Sequence, residues 1–548
     1  MAERKKKVKP GAGAAAPAEP RQFTPRVSSA YLERLAGRAA CGPERQPLDV
    51  EMPFSGETLG NVPAGTPDDV RAAVAAAREA QRGWAATPAA ERARVLLRFH
   101  DLLIANAHEA LDLIQLELGK ARKHAFDEVL DAAITARYYA HIAADALRPR
   151  LRQGAFPVFT VTREYRRPKG VVGFISPWNF PLILGITDAL AALAAGNAAV
   201  IKPDAQTPFS CLWAAALLEE AGLPRDLVQV VTGRGRELGP TLIDEVDHLM
   251  FTGSTATGRL LGQQAAGRLI DFSLELGGKN PALVLDDAPL GRTVAGLRLG
   301  VGAVDGLCFA VTTGCGQVCI STERLFVQSG IYDDLMPRLT DALTSLRLGS
   351  SLNFSDDLGC LSSAEQLDKV KAHVDDAVAK GARVLTGGRE RPDLGPYFYE
   401  PTLLEGVTEE MAVCREETFG PVCSVYRFDD VDEAVARVND TEYGLSASIW
   451  TRDWKRARGL AARIEAGIVT VNDAYQAAWA SASPMGGCKQ SGVGRRHGRD
   501  GLLKFTEPQT VAAEWGLAVD HLPFGDHELY AKLMALTIRA LKYVPIIK

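Results

Sequence analysis

The spacing of apolar residues divides the chain into a helical region and two regions in which strands alternate with helices. From about residue 66 to residue 147, apolar residues recur every three or four positions, and this period predicts mostly helix. Asp68 or Asp69 is the predicted cap at its start. Residues 156–165 then alternate apolar and polar side chains, which predicts a half-exposed strand that pairs with another chain.

Short apolar runs between residues 170 and 252 alternate with helical segments. This rhythm predicts a parallel sheet with crossover helices. Each predicted strand runs into a loop of small or polar residues, which is where parallel sheets bind ligands. The strands and their loops are Val171–Ile175 with Ser176–Asn179, Ala198–Ile201 with Lys202–Asp204, Val228–Val231 with Thr232–Gly235, and His248–Phe251 with Thr252–Ser254.

A second region of the same alternation extends from about residue 281 to residue 472. Its predicted strands are Ala282–Leu285, Leu325–Val327, Val422–Tyr426 and Gly467–Val471. The pattern therefore predicts the α/β fold class with two α/β domains. Two such domains that face each other enclose a cleft, and interdomain clefts are common ligand sites.

Composition narrows the class of protein. The 548 residues are 47% hydrophobic and 24% charged, as in a soluble multidomain protein, and the net charge of −5 argues against nucleic acid as a main partner. No apolar run is long enough to predict a membrane-spanning segment. Nine scattered cysteines without a CxxC pair indicate reduced thiols and a cytoplasmic location, and no metal site is predicted.

The two termini are predicted to lie outside the globular body. Residues 1–25 join a basic run to Ala, Gly and Pro, which predicts a disordered, solubilising tail, with a transit peptide or a nucleic-acid contact as open alternatives. Residues 516–548 are predicted to form a helical extension, with a basic amphipathic helix over 528–547. We expect this helix to pack against the chain's own body; a membrane surface or a neighbouring subunit stays open.

Cys319, in the string Gly-Gln-Val-Cys, and Glu275, in Leu-Glu-Leu-Gly-Gly-Lys, are a candidate nucleophile and base. A carbonyl attacked by sulfur becomes a tetrahedral adduct that can lose hydride to a nicotinamide and leave a thioester. Glu275 would activate the water that hydrolyses this thioester. Taken alone, a Cys is more often a small buried residue and a Glu a solvated one.

Seven separated motifs resemble, in the same order, those of the aldehyde dehydrogenase superfamily, across residues 53–510. Within the superfamily, residues 491–498 and the residues around Lys202 are most similar to bacterial succinate-semialdehyde dehydrogenases of the mycobacterial type. The motifs are Pro177–Pro181, Lys202-Pro203, Phe251–Ser254, Glu275–Lys279, Gly316–Cys319, Glu417–Pro421, and Pro484–Gly487 followed by Lys489–Gly492.

The resemblance implies a domain plan. Residues 26–149 and 169–275 would form a Rossmann-like cofactor domain, and residues 276–489 an α/β catalytic domain. Residues 150–168 and 490–515 would form a β-arm for oligomerisation. A homodimer or homotetramer follows from such an arm.

The resemblance also assigns roles to single residues. Cys319 would be the nucleophile and Glu275 the base, while the Asn179 amide and the Cys319 backbone N–H would donate to the oxyanion. Gly253 and Ser254 would hold a pyrophosphate at a helix N-terminus. Lys202 would hold the adenosine ribose, Glu417 the nicotinamide ribose, and Phe419 would lie against the nicotinamide ring. The residues assigned to the cofactor are Ser176, Pro177, Trp178, Lys202, Asp204, Ala205, Gly235, Gly253, Ser254, Leu276, Glu417 and Phe419.

One departure from the family pattern bears on the cofactor. Many NAD-using members carry Glu where this chain has Ala205, and that carboxylate repels a 2′-phosphate. Its absence removes a penalty of roughly 4 kcal/mol, which slightly favours NADP over NAD. Asp204 beside it keeps NAD open.

Two further departures bear on the substrate. Thr312–Cys315 replaces the usual residues before the nucleophile, with Phe309 three positions early, so an altered pocket wall is expected, and Cys315 could pair reversibly with Cys319. The helix after Asn179 lacks the arginine that some succinate-semialdehyde enzymes use, which leaves Arg495, Arg496 or another arginine as a replacement. Tyr475 and Trp479 are expected at an aromatic tunnel mouth.

These observations predict NAD(P)-dependent oxidation of a small aldehyde to a carboxylic acid, with succinate semialdehyde as the favoured substrate. Another aliphatic or aromatic aldehyde is the first alternative. A coenzyme-A-acylating enzyme generally lacks the base that Glu275 would provide. A non-catalytic scaffold of the same fold is the alternative from another class, supported by the altered loop at residues 312–315.

Overall fold

The structure, a computed structural model, describes residues 27–154, 160–291, 293–294, 297–298, 302–515 and 527–543. The predicted tail at residues 1–25 lies outside these ranges, as do residues 156–159 of the predicted edge strand and residues 516–526 and 544–548 of the extension. None of the described helices is long and apolar enough to cross a membrane.

The helices are α1 (Ser29–Ala36), α2 (Pro67–Ala86), α3 (Ala89–Ala105), α4 (Ala107–Leu118), α5 (Arg122–Leu147), α6 (Pro181–Ala195), α7 (Phe209–Glu220), α8 (Gly235–Glu245), α9 (Thr255–Gly267), α10 (Ala303–Thr312), α11 (Ser329–Thr344), α12 (Ala364–Ala379), α13 (Ala412–Arg415), α14 (Val431–Asn439), α15 (Trp454–Ala461), α16 (Gln476–Trp479), α17 (Gly498–Leu503) and α18 (His527–Leu541). Helices α1 to α5 precede the strands of the first parallel sheet, most of the others alternate with strands, and α18 follows the last strand.

The strands belong to two large sheets and several small ones. They are β1 (Pro47–Met52), β2 (Glu57–Pro63), β3 (Arg150–Arg152), β4 (Thr160–Pro168), β5 (Val171–Ile175), β6 (Ala198–Lys202), β7 (Val228–Val230), β8 (His248–Thr252), β9 (Asp271–Glu275), β10 (Asn280–Val284), β11 (Thr293–Val294), β12 (Leu297–Arg298), β13 (Thr322–Gln328), β14 (Arg383–Thr386), β15 (Thr402–Glu405), β16 (Val422–Phe428), β17 (Tyr443–Gly444), β18 (Ser446–Trp450), β19 (Ile468–Val471), β20 (Cys488–Lys489), β21 (Gly492–Val493) and β22 (Thr506–Glu514).

The two large sheets are mostly parallel, as the strand and helix alternation predicts. The first has the order β21-β9-β8-β5-β6-β7, and only β21 runs antiparallel to its neighbour. The second has the order β14-β15-β16-β13-β10-β18-β19, with β14 antiparallel at its edge. Every residue of β5, β6 and β8 is buried, because helices cover both faces of the first sheet.

A third sheet, with the order β22-β4-β3, is antiparallel and leaves much of β22 exposed. β4 ends at Pro168. Helix α17 ends at Leu503, and β22 begins at Thr506. β21, from the predicted arm segment, pairs with β9 in the first sheet. The domain boundaries given above stay predictions.

Two sequence-based expectations are wrong. The cap of α2 is Thr66, whose hydroxyl accepts from the Asp69 N–H while the Asp69 carboxylate accepts from the Thr66 N–H. Asp69 is therefore the third residue of the helix and the reciprocal partner in a capping box. In α18 no residue is buried, and Leu533 and Leu536 are 52% and 65% exposed. The described part of the extension therefore does not pack against the chain's own body.

Candidate active site

A cleft of about 200 Å³ opens at the carboxyl ends of the strands of the first sheet. This position follows from the fold, since parallel sheets bind ligands where their strands end. Side chains from the second half of the chain close its other wall. The lining residues are Pro177, Trp178, Asn179, Leu184, Thr252, Gly253, Ser254, Glu275, Leu276, Gly277, Cys319, Gln366, Lys369, Glu417 and Phe419.

Asn179 lies in this cleft beside the backbone that leads to Cys319. The side-chain Nδ2 of Asn179 donates to the backbone carbonyl of Gln317 at 2.8 Å, and the backbone carbonyl of Asn179 accepts from Lys120 Nζ at 2.8 Å. An amide nitrogen carries two hydrogens, so one remains for a ligand. The Cys319 carbonyl accepts from Asn280 Nδ2 at 2.8 Å, which fixes the nucleophile loop from the opposite side.

A buried ion pair supports the Asn179 loop. Lys120 Nζ lies 2.6 Å from Glu128 Oε1, and both side chains are buried. The other carboxylate oxygen of Glu128 accepts from Leu182 N–H at 3.0 Å, in the first turn of α6. The Glu128 carboxylate therefore contacts both the Lys120 ammonium and the positive N-terminal end of α6.

Glu275 is the last residue of β9, is 5% exposed and lines the same cleft as Cys319. Burial raises the pKa of this carboxyl to about 8, and the charge of Arg496 is the largest one that opposes the rise. Oε1 of Glu275 has no hydrogen-bond partner among the described residues. A buried carboxylate oxygen left without a partner marks a position for water or a reacting group.

The Cys319 thiol is partly buried in this cleft. Burial raises its pKa to about 12, and the negative charges of Glu417 and Glu275 act in the same direction. At neutral pH the thiol is therefore protonated, and a nucleophilic role requires a base that accepts its proton.

Glu417 and Phe419 form the wall of the cleft that the second sheet provides. Oε1 of Glu417 accepts from the Gly278 N–H at 2.9 Å, and burial raises the pKa of this carboxyl to about 7. A Cβ on Gly277 would lie 2.5 Å from Glu417 Oε2, so any larger residue here would displace the carboxylate. The Phe419 ring lies edge-on to Trp178, with centroids 5.5 Å apart.

Phe419 has a left-handed backbone, with φ of 58°, which is uncommon for an aromatic residue. Glu323 holds this conformation, because its two carboxylate oxygens accept from the N–H groups of Thr418 and Phe419 at 2.9 Å each. Gln366 adds a bond from Nε2 to the Phe419 carbonyl at 2.9 Å. Glu323 itself is paired with the buried Lys279.

Helix α9 begins beside the cleft. Ser254 is its N-cap, and the Ser254 hydroxyl accepts from the Thr257 N–H at 3.3 Å. The backbone N–H groups of the first turn of a helix attract anions. Gly253 and Ser254 both line the cleft, which fits a pyrophosphate at this helix end.

Five of the residues assigned to the cofactor do not line the cleft but lie along the same edge of the first sheet: Ser176, Lys202, Asp204, Ala205 and Gly235. The Ser176 N–H donates to the Lys202 carbonyl at 3.2 Å, and a Cβ on Gly235 would lie 3.4 Å from Lys202 Nζ. Lys202 is 4% exposed, and burial lowers the pKa of its ammonium, against the opposing charge of Asp204. The ammonium lies beside the start of α8, where a ribose hydroxyl or a phosphate would contact it.

The segment before Cys319, where the sequence departs from the family motif, has an unusual backbone. Helix α10 ends at Thr312, and Gly314, Cys315 and Gly316 all have positive φ, of 56°, 60° and 68°. Cys315 is 1% exposed and packs in the core on one face of the second sheet. Both Cys315 and Cys319 are free thiols in this structure.

Phe309 and Tyr475 lie in an apolar cluster that also contacts Cys319. Their rings meet edge-on with centroids 5.3 Å apart, and the Tyr475 hydroxyl donates to the Ala310 carbonyl at 2.8 Å. Phe309 thus reaches this cluster from α10 despite its early position. Trp479, at the end of α16, is 37% exposed, whereas Tyr475 is buried, so the two predicted tunnel residues differ in their access to solvent.

The two arginines proposed as replacements for a substrate arginine do not line the cleft. Arg496 is 3% exposed and lies 3.0 Å from Asp188 of α6, while Arg495 Nη1 donates to the carbonyls of Gly487 and Gly494. The cation in the cleft lining is Lys369. No group of three or more His, Cys, Asp or Glu side chains suited to a metal ion occurs among the described residues.

Five lining residues were not singled out from the sequence: Leu184, Thr252, Gly277, Gln366 and Lys369. Thr252 and Gly277 belong to quoted motifs, so a signal for them existed. Gln366 and Lys369 lie on α12, in a stretch without a recognisable motif, and only the folded chain brings them to the cleft.

Residues 41–511 match the family model described as the aldehyde dehydrogenase family, and the chain belongs to this family. Among curated relatives, it is 48% identical over 525 residues to "Putative succinate-semialdehyde dehydrogenase NADP(+)" of Mycolicibacterium smegmatis, covering 95% of this chain and 99% of the relative. It is 37% identical to the glutarate-semialdehyde dehydrogenase of Pseudomonas aeruginosa, covering 84% and 93%.

The solved structure of an NAD-dependent aldehyde dehydrogenase from Sinorhizobium meliloti is similar with a TM-score of 0.83 and 36% identity, covering 89% of this chain and 94% of that one. The resemblance and the α/β fold class with its Rossmann-like and catalytic parts are confirmed.

Proposed function

We propose that the protein oxidises an aldehyde to a carboxylic acid with NAD(P), through a thioester on Cys319. The observation that carries this proposal is a single cleft lined by a thiol, a buried carboxyl with an unpartnered oxygen and an amide with a spare hydrogen, beside a helix N-terminus. These are the parts that acyl chemistry needs: a nucleophile, a base and an oxyanion donor.

The first step is the attack of Sγ of Cys319 on the aldehyde carbon. The thiol proton passes to water in the cleft, and Glu275 is required only for the second step. The carbonyl oxygen becomes an oxyanion, which accepts from the second Nδ2 hydrogen of Asn179 and from the Cys319 N–H.

Collapse of this adduct expels a hydride and leaves a thioester. A bound nicotinamide would supply the acceptor for that hydride. The residues that would hold it are those of the cleft wall and the sheet edge: Lys202, Gly253, Ser254, Leu276, Glu417 and Phe419, with Gln366 and Lys369 of α12 beside them.

The second step is hydrolysis of the thioester. Glu275 accepts a proton from a water molecule, whose oxygen attacks the acyl carbon, and the Cys319 thiolate leaves and is reprotonated. Aldehyde, water and oxidised cofactor thus yield carboxylate, reduced cofactor and two protons.

Succinate semialdehyde is the substrate that we propose, with NADP as the preferred cofactor. The name of the relative from M. smegmatis supports both choices, and Ala205 supports the second. A glutarate semialdehyde or another aldehyde is the alternative, since a relative of that name covers most of the chain and the cleft lining contains no arginine. We also propose a homodimer or homotetramer built through the sheet of β3, β4 and β22, and a cytoplasmic location.

The test is an absorbance assay for reduced nicotinamide with a panel of aldehydes and both cofactors, without coenzyme A. We expect turnover with succinate semialdehyde, and Glu275→Gln should give one burst of reduced cofactor per subunit before it stalls. Glu365→Gln, an exposed change on α12, is the matched control. A strict need for coenzyme A, or no reduction with any aldehyde, would contradict the proposal, the latter in favour of a non-catalytic scaffold.

A further inference from the structure

A cluster of buried charges lies outside the cleft lining, close to Glu275. Arg496 Nη2 lies 3.0 Å from Asp188 Oδ2 and donates to the Thr187 hydroxyl at 2.8 Å. Lys504 Nζ lies 3.1 Å from the other Asp188 oxygen. Arg496 and Asp188 are 3% and 5% exposed. One carboxylate thus faces two cations in a place with little water.

A short backbone bridge joins this cluster to Glu275. The N–H groups of Arg496 and Met485 each donate to the other residue's carbonyl at 2.8 Å. At the next residue, Gly486, a Cβ would lie 2.9 Å from Oε1 of Glu275. The bridge that carries Arg496 therefore also bounds the space around the Glu275 carboxylate.

Polar atoms on both sides of this bridge lack partners among the described residues. They are Oε1 of Glu275 and Nε of Arg496, together with Oδ1 of Asp131. An ionised carboxyl that is buried without hydrogen bonds depends on nearby positive charge for its stability.

Four charged groups act on Glu275 after burial has raised its pKa. Arg496 lowers that pKa most, Lys504 and Arg495 lower it less, and Asp188 raises it. Arg496 also opposes the rise in the pKa of Cys319. In the other direction, the groups that raise the pKa of Arg496 are Asp188, Glu275, Asp131 and Tyr139.

We propose that Arg496 is a positioning residue that favours the ionised form of Glu275, and that Asp188 limits this effect by taking up part of the Arg496 charge. The inference rests on the proposed function, because it assumes that Glu275 acts as the base. The chemical consequence is that the charges of Arg496 and Asp188 together set the fraction of Glu275 that is ionised, and with it the turnover rate.

The test is the pH profile of steady-state turnover in two variants that change this balance in opposite directions. Arg496→Gln removes the cation, so the rising limb of the profile should move up by about one pH unit, with about tenfold slower turnover near neutral pH. Asp188→Asn removes the competing anion, so the limb should move down. Arg496→Lys should restore most of the wild-type profile.

A purely structural role would lower activity at every pH without moving the limb. Arg499→Gln is the matched control, since this arginine follows soon after Arg496 but pairs with Asp145 and is not among the charges that shift the pKa of Glu275 most. An unmoved limb in both variants, or a shift in the same direction, would overturn the inference. If Arg496→Gln fails to fold, Asp188→Asn decides: an unchanged or upward limb overturns it. A wild-type protein that reduces no cofactor refutes the proposed function instead.

Discussion

The ionisation of Glu275 predicts how turnover depends on pH. Burial raises the pKa of this carboxyl from 4.5 to about 8. Only the ionised form can accept a proton from water, so activity is gained as the pH rises through the pKa. At pH 7 roughly a tenth of the molecules carry the carboxylate and at pH 9 about nine tenths do, which predicts a roughly tenfold rise in thioester hydrolysis between these values.

Stopped-flow absorbance separates the two chemical steps. The initial burst of reduced nicotinamide reports acylation of Cys319, and the later linear phase reports hydrolysis. Both are measured from pH 6 to pH 10 at constant ionic strength and saturating substrates. The linear phase should follow a single ionisation near pH 8, and Glu275→Gln should remove it.

Two results would refute this reasoning. One is a rate of the linear phase that does not change between pH 7 and pH 9. This result counts against the reasoning when a solvent isotope effect on the same phase shows that hydrolysis is the rate-limiting step. The other is a rising limb that persists in Glu275→Gln, which would assign the ionisation to a different group. Glu417, with a pKa raised to about 7, is then the first candidate to examine by Glu417→Gln.

Three further predictions follow from the geometry. Asn179→Ala should slow the burst phase by on the order of a hundredfold, because an oxyanion donor is lost. Ala205→Glu should weaken NADP relative to NAD by roughly a thousandfold in competitive binding, since the new carboxylate would face the 2′-phosphate; an unchanged ratio contradicts the proposed cofactor edge. Glu128→Gln should lower the free energy of unfolding by roughly 3 to 5 kcal/mol in urea titrations, because Lys120 stays buried without its anion; a loss below about 1 kcal/mol argues against a buried charge.

Local patterns predicted the framework well because they depend on neighbours in the chain. Buried parallel strands appear as short apolar runs, and β5, β6 and β8 each coincide with such a run to within a residue. The motifs around Asn179, Glu275 and Cys319 likewise carry their own loops, and the structure brings all three side chains into one cleft.

Contacts between distant segments could not be predicted in the same way. Gln366 reaches the Phe419 loop from α12, and Arg496 pairs with Asp188 across more than half of the chain. A single sequence shows neither partner, because an isolated charged or amide residue is usually solvent-exposed. Thr66 was missed for a local reason: Asp69 is itself a good cap, and only the reciprocal bond shows which residue occupies the cap.

Three buried ion pairs surround the cleft, and each is joined to a different functional segment. Lys120–Glu128 holds the Asn179 loop, Lys279–Glu323 holds the backbone at Phe419, and Arg496–Asp188 adjoins the Glu275 carboxylate. Buried pairs contribute little net stability, because desolvation offsets their attraction. Their common location is therefore better explained by placement of the reacting groups than by stability. The shift in the pH profile expected for Asp188→Asn measures this contribution for the base, where an unfolding experiment alone would not.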